Sequence, residues 1–350
     1  MRKSILPKLT VFAAVFALTL TGCASQSNST ASSEASTQAS ESAETTVAET
    51  TTAKATSVEI KDIHGTVTVP VNPKNVVALD NRTFETLSDW GIKLVAVPKG
   101  VMPADSSYVK DSEVQDIGSH SEPNLEIIAA ADPELVIVGQ RFSSYYEDIK
   151  ALVPNAAVVD LSFEISKEAG KSGDTFVNGL KDSTITLGKI FDKNEEAEKL
   201  NADFDKAIET AKTAYNGTDK VMSVVVSGGD IGFSAPVSGR VWGPMYEVFG
   251  WTSALEVDGA TSDHQGDDIS VEAIAQSNPD WIFVLDRDAA ISSTKDAVPA
   301  QDVINNSPAL QNTTAVSKGQ IVYAPNDTYT NESIQTYIEL FDNLASSLTK

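Results

Sequence analysis

An internal repeat constrains this chain more than any other feature. Residues 124–141 read NLEIIAAADPELVIVGQR, residues 270–287 read SVEAIAQSNPDWIFVLDR, and the two align without a gap. Glu126 falls on Glu272, Pro133 on Pro279 and Arg141 on Arg287. Each copy predicts a short helix, an Asp/Asn-Pro breaker and a buried strand (135–138 and 281–285), with the arginine beyond the strand's carboxyl end. Upstream of each copy, a β-rich run (76–79 and 221–226) leads to a helical stretch closing on Gly91 or Gly250. The pattern predicts an α/β chain of two lobes, about 58–170 and 215–350. Each has a central, mainly parallel sheet covered by helices.

The segment between the lobes, 171–214, is the most helical of the chain. Phe176, Leu180, Ile185, Leu187 and Ile190, then Ala197, Leu200, Phe204 and Ile208, carry its apolar pattern. It is expected as one long helix joining the lobes, open to a bend at Asp192-Lys193-Asn194. The competing reading is two ordinary helices of one lobe. Lobes joined in this way leave a cleft, and ligands of open α/β sheets bind outside the strands' carboxyl ends. Arg141 and Arg287 both stand at such ends, one per lobe. Arg240, in SAPVSGRVWG beside Trp242, lies in a loop after the second lobe's first strand.

Composition sharpens that point. The net charge is −23, yet only five arginines occur, and Arg82, Arg141, Arg240 and Arg287 are the four beyond the N-terminal leader. Lysine supplies the other cations, so convergent arginines predict a site for a compact, multiply charged anion. Guanidinium cannot be neutralised and donates through a planar fork. Surface ion pairs are the alternative. Arg82, outside the matched pair, is expected to matter less. The acidic balance argues against nucleic acid and against adhesion to anionic lipid.

The N-terminus predicts the compartment. Arg2, Lys3 and Lys8 precede a short apolar run, 9–20, of signal-peptide length. The run ends in Leu20-Thr21-Gly22-Cys23, which resembles a bacterial lipobox. Residues 1–22 are expected as a signal peptide and Cys23 as a lipidated N-terminus, stably anchored by its acyl chains. Cys23 is the single cysteine, so its lipidation leaves no thiol for a disulfide, a nucleophile or a zinc site. Residues 23–57, mostly Ser, Thr, Ala, Glu and Gln, are expected as a disordered tether.

With the lipobox, SHSEPNLEIIAAADPELVIVG, the helical middle and SVEAIAQSNPDWIFVLDR in view, the chain resembles class III solute-binding lipoproteins. That family serves ferric-siderophore and cobalamin ABC importers. GQRFSSYY at 139–146, SGRVWG at 238–243 and LDRDAAI at 285–291 make it most similar to petrobactin and ferric-catecholate binders. The resemblance implies a monomeric protein on the extracellular membrane face, of Gram-positive type. It would hold an anionic ferric catecholate as ligand, with no cofactor, and deliver it to a permease. Arg141, Arg240 and Arg287 become the basic triad around the iron centre, and Trp242, close to Arg240 in sequence, is expected as a further ligand contact. His264 and Tyr329 become ligand contacts that bind iron where the siderophore leaves sites open. Glu126 and Glu272 become the docking pair for two permease subunits. Receptors for haem or cobalamin, and a secreted hydrolase, are the competing readings. Against the last, no GxSxG elbow, Walker A loop or HExxH occurs.

Overall fold

In a computed structural model, which describes residues 55–168, 170–291 and 297–349, the two repeat copies adopt the same local structure. Asn124 caps helix Leu125–Ala130 by accepting from the Glu126 N–H, and Ser270 caps helix Val271–Ser277 by accepting from Ala273. Such caps satisfy donors that have no partner inside a helix. Asp132 (φ 44°) and Asn278 (φ 45°) then take the left-handed conformation. Asp and Asn visit it more readily than other side-chain-bearing residues, and the proline that follows each cannot resume a helix. Strands Leu135–Val138 and Trp281–Asp286 come next.

These strands sit inside two sheets. The first has the order Gln115–Asp116, Leu94–Val97, Val76–Ala78, Leu135–Val138, Ala157–Asp160, parallel throughout. The second runs Asp230–Phe233, Lys220–Ser227, Trp281–Asp286, Ile321–Tyr323, and Thr252–Ser253 also pairs with Lys220–Ser227. Only Asp230–Phe233 is antiparallel, folded back through the Gly228-Gly229 turn. The central strands are buried on both faces, as parallel strands covered by helices require. A hairpin, Ser57–Asp62 with Gly65–Pro70, precedes the first sheet. The expected signal peptide, lipidated Cys23 and tether lie outside the described residues as far as residue 54, and the tether ends earlier than residue 57, because Ser57 already pairs with Pro70 in the hairpin.

One long helix joins the lobes, as expected, but it does not run through the whole segment 171–214. The segment is two helices, Ser172–Phe191 and Asn194–Ala214, because Asp192 turns left-handed (φ 53°, ψ 42°) and reverses the chain. The first helix alone bridges the lobes. Phe176 and Leu180 enter the C-terminal core, while Leu187, Ile190 and Phe191 enter the N-terminal one. Glu247 fixes its start to the C-terminal lobe, accepting from the N–H groups of Gly170 (2.5 Å) and Gly173 (3.0 Å). The second helix returns to the C-terminal core through Phe204, Ala207 and Ala211 and packs against helix Ile334–Leu348. Gly179, inside the bridging helix, costs about 1 kcal/mol relative to alanine. Its place is explained by Phe163, whose ring lies 2.3 Å from where a Cβ would stand.

Candidate functional site

The loops beyond the strands' carboxyl ends bring all four arginines together. Arg82 follows Val76–Ala78, Arg141 follows Leu135–Val138, and Arg287 follows Trp281–Asp286. Arg240 rides on a loop after Asp230–Phe233 in which Val237 (φ 70°) and Val241 (φ 63°) are both left-handed. For β-branched residues these are genuine outliers, costing about 1–3 kcal/mol each, and such strain clusters at functional sites. The segment after strand Ile321–Tyr323 supplies Tyr329 and Glu332 before helix Ile334–Leu348 begins.

Tyr329 is the centre of the arrangement. Its ring centroid lies 4.4 Å from the Arg240 guanidinium carbon, 5.2 Å from that of Arg287 and 5.8 Å from that of Arg141. Its carbonyl accepts from Arg141 Nη2 and Arg240 Nη2, each at 3.3 Å. A ring face attracts guanidinium charge, and more strongly where water is excluded. Glu332, buried to 4% exposure, binds Arg240 directly and lies 3.7 Å from Arg82 and 3.9 Å from Arg141. Burial raises its proton affinity, but Arg240, Arg82 and Arg141 outweigh that and hold its carboxyl below the usual range. It is a carboxylate at neutral pH.

One carboxylate does not saturate these donors. Nη1 of Arg82 and Nε of Arg141, Arg240 and Arg287 are buried without a partner among the described residues. Leaving a buried charged donor unmatched costs more than the roughly 1–3 kcal/mol of a neutral one, so the cluster favours an incoming anion. A cavity of about 380 Å³, lined by Arg82, Arg240, His264, Glu332, Phe163 and Tyr337 among others, opens beside it. A larger cavity of about 860 Å³ lies in the C-terminal lobe. It is lined by Asp230, Asp267, Asp268 and Asp302 with no arginine, so its field repels anions.

Two histidines edge the cluster. His264 Nδ1 faces Arg240 Nη1 at 3.4 Å and accepts from it, since guanidinium only donates. Burial, then Arg240 and Arg141, lower the pKa of His264, and burial, then Arg141, His264 and Arg240, lower that of His120. Both imidazoles are therefore neutral at neutral pH and able to ligate metal. His264 and Tyr329 meet edge to face with centroids 6.5 Å apart. Among the described residues, no three His, Cys, Asp or Glu side chains form a metal-holding group.

The arrangement corrects two sequence expectations and adds two residues, Glu332 and His120. Trp242 is not a ligand contact. It is fully buried in the C-terminal core against Phe283 (5.5 Å) and Trp251 (6.4 Å), because the left-handed Val241 turns the chain inward. Arg82 is no bystander: it lines the cavity, stacks 4.0 Å from the Phe163 centroid and pairs with Glu332. Its place after the first sheet's central strand, and the scarcity of arginine, could have found it. Glu332 and His120 carried no such signal, lying outside any matched position. Asp80 Oδ1 accepts from the Arg82 N–H at 3.1 Å, and its carboxyl carbon lies 2.1 Å from where a Cβ on Gly139 would stand. Glu126 and Glu272 stand exposed in the first turns of the matched helices, outside the arginine cluster.

Comparison with known proteins places this geometry among binding proteins. The family described as periplasmic binding protein matches residues 76–328. Petrobactin-binding protein YclQ of Bacillus subtilis is 30% identical over 264 residues, covering 75% of this chain and 77% of that protein. Ferric-anguibactin-binding protein FatB of Vibrio anguillarum is 27% identical, covering 83% and 87%. The crystal structure of YclQ superposes with a TM-score of 0.70 at 25% identity, over 84% of this chain and 99% of that one. Siderophore binding protein BauB, solved with ferric iron and two molecules of acinetobactin, superposes with a TM-score of 0.71 at 23% identity over the same shares. These relatives bind solutes, which sets a positive assignment against the reading as a hydrolase.

Proposed function

We propose that this chain, which belongs to the periplasmic binding protein family, captures an anionic ferric siderophore of the catecholate type in the interlobe cleft. It then hands the complex to an ABC permease. The observation that carries this is the convergence of Arg82, Arg141, Arg240 and Arg287, whose buried donors outnumber the acceptors that Glu332 and the Tyr329 carbonyl supply. Catecholate oxygens around iron present dense negative charge in a rigid geometry that planar guanidiniums match. The names of the relatives, binders of petrobactin and of ferric anguibactin, support the same class. Iron is cargo here, arriving inside its chelator, and His264 with Tyr329 complete its coordination where the chelator is short of donors.

The remaining parts of the reading follow from position. Glu126 and Glu272, exposed at matched helix starts on the two lobes, are the contacts for two permease subunits. Cys23 carries the lipid anchor, and the domain works as a monomer on the outer membrane face. The test is a titration of the purified protein with a ferric tris-catecholate, a ferric bis-catecholate, haem and cobalamin, read by quenching of intrinsic fluorescence. Quenching by the ferric catecholates at the lowest concentrations is expected. Haem or cobalamin binding at far lower concentration than every catecholate would overturn the ligand class.

A further inference from the structure

We propose that Glu332 sets which ligand charge the cleft prefers, acting as an internal counter-anion among Arg82, Arg141 and Arg240. This rests on the anion-binding reading above and deepens it. Three guanidiniums from two lobes share this one carboxylate: Arg82 at 3.7 Å and Arg141 at 3.9 Å from the N-terminal lobe, and Arg240 in direct contact from the C-terminal lobe. Arg141 and Arg240 also reach the Tyr329 carbonyl and the cleft. Arg82 is the deepest of the four, its side chain 5% exposed beside a Glu332 side chain at 6%. Glu332 thus cancels one unit of the charge a ligand meets, and Arg82 is the partner whose removal would restore that balance.

The backbone around Glu332 is held without its carboxylate. The Asn331 N–H donates to the Asp327 carbonyl at 2.8 Å. Ser333 caps the last helix by accepting from the Thr336 N–H at 3.1 Å. Glu85 of the N-terminal lobe accepts from Asn331 Nδ2 at 2.9 Å and from the Ser333 hydroxyl. A neutral isostere at 332 therefore changes the charge and leaves the loop in place. No other carboxylate touches Arg141 or Arg240 among the described ion pairs.

The experiment measures Kd of the purified protein for a trianionic ferric tris-catecholate, a monoanionic ferric bis-catecholate and an uncharged ferric hydroxamate. Glu332→Gln is expected to raise the preference for the trianion over the monoanion by about tenfold. That is the size of the two-unit difference in ligand charge acting on one carboxylate over ~6–8 Å at water's dielectric constant of ~80, and a drier cleft makes it larger. The double variant Arg82→Gln with Glu332→Gln restores the wild-type charge and should return the ratio to its wild-type value. Arg82→Gln alone should move the ratio the opposite way, and the double variant measured against it isolates the Glu332 charge even if Glu332→Gln alone fails to fold. A purely structural Glu332 would lower affinity for all three probes by one factor. That result, or an unchanged ratio in every variant, overturns the proposal while leaving the siderophore reading intact. Failure of the wild type to bind either catecholate overturns both.

Discussion

Arg240→Ala should cause the largest loss of ligand affinity of any single arginine truncation. Arg240 alone contacts the Tyr329 ring most closely (4.4 Å), Glu332, the Tyr329 carbonyl and His264 Nδ1. Its Nε is buried and unpaired, free to bind an acidic oxygen. Truncating one partner of a buried, hydrogen-bonded charge pair costs about 2–5 kcal/mol, or roughly 30-fold to several thousand-fold in Kd. Arg141→Ala should fall in the same range, since its side chain is equally buried (10%). Arg287→Ala should fall near the lower end: its side chain is 26% exposed, and solvent screens part of its charge. Arg→Lys at 240 should recover only part of the loss, because an ammonium cannot present two parallel donors. Arg82→Ala should cost stability as well as affinity, as it leaves Glu332 without one of its partners and Phe163 without its stacked cation. The assay is titration of a ferric tris-catecholate into the four alanine variants, beside thermal melts. Wild-type Kd in Arg240→Ala and Arg141→Ala, with folding intact, would refute the assignment of the cleft.

Two further outcomes are expected. Burial pushes the Asp80 carboxyl up to about 6, with Arg82 opposing, so the folded state binds its proton more tightly than the unfolded chain. That contribution is present below about pH 4 and is lost as pH rises through 6, roughly 3 kcal/mol in all. Asp80→Asn should therefore be more stable than wild type at pH 8, with the gap closing toward pH 4; parallel melting curves from pH 4 to 8 would sink the argument. Replacing both Glu126 and Glu272 by alanine should abolish iron–siderophore uptake by cells while leaving Kd unchanged, and full uptake by that double variant would remove the docking role.

The repeat made much of this legible. Spacing alone put Arg141 and Arg287 beyond two strands, and the structure has those strands starting at Leu135 and Trp281 as expected. It was legible because caps, a left-handed residue and a proline are local signals that do not depend on tertiary context. The break at Asp192 was only half legible. Apolar spacing continues across 192–194, and nothing local showed that Gly188 and Ala197 meet at the reversal, where a Cβ on Gly188 would stand 2.7 Å from that of Ala197. Trp242 was misread because adjacency in sequence to Arg240 says nothing about direction once Val241 is left-handed. Glu332 was invisible for a deeper reason: a buried counter-charge is defined by partners some 90 to 250 positions away.

The loop from Asp327 to Ser333 joins the binding site to the seam between the lobes. Across that seam Thr86 donates to Gln335 at 2.9 Å, Asn81 Nδ2 donates to the Thr330 carbonyl at 3.3 Å, and Glu85 gathers Asn331, Ser333 and Thr336. The bridging helix adds a second tie, rooted in both cores. Because the bridging helix is rooted in both cores, only small relative rotations of the lobes are expected across this polar seam. Arg82 and Glu332 pair across the same seam. An anion that engages Arg141 and Arg240 therefore competes with Glu332 for their donors. The loop that carries Glu332 is thus also part of the seam. Ser333→Ala, which removes the helix cap and the bond to Glu85, should weaken binding of charged and uncharged ferric probes by a common factor in the same titrations, whereas Glu332→Gln changes their ratio.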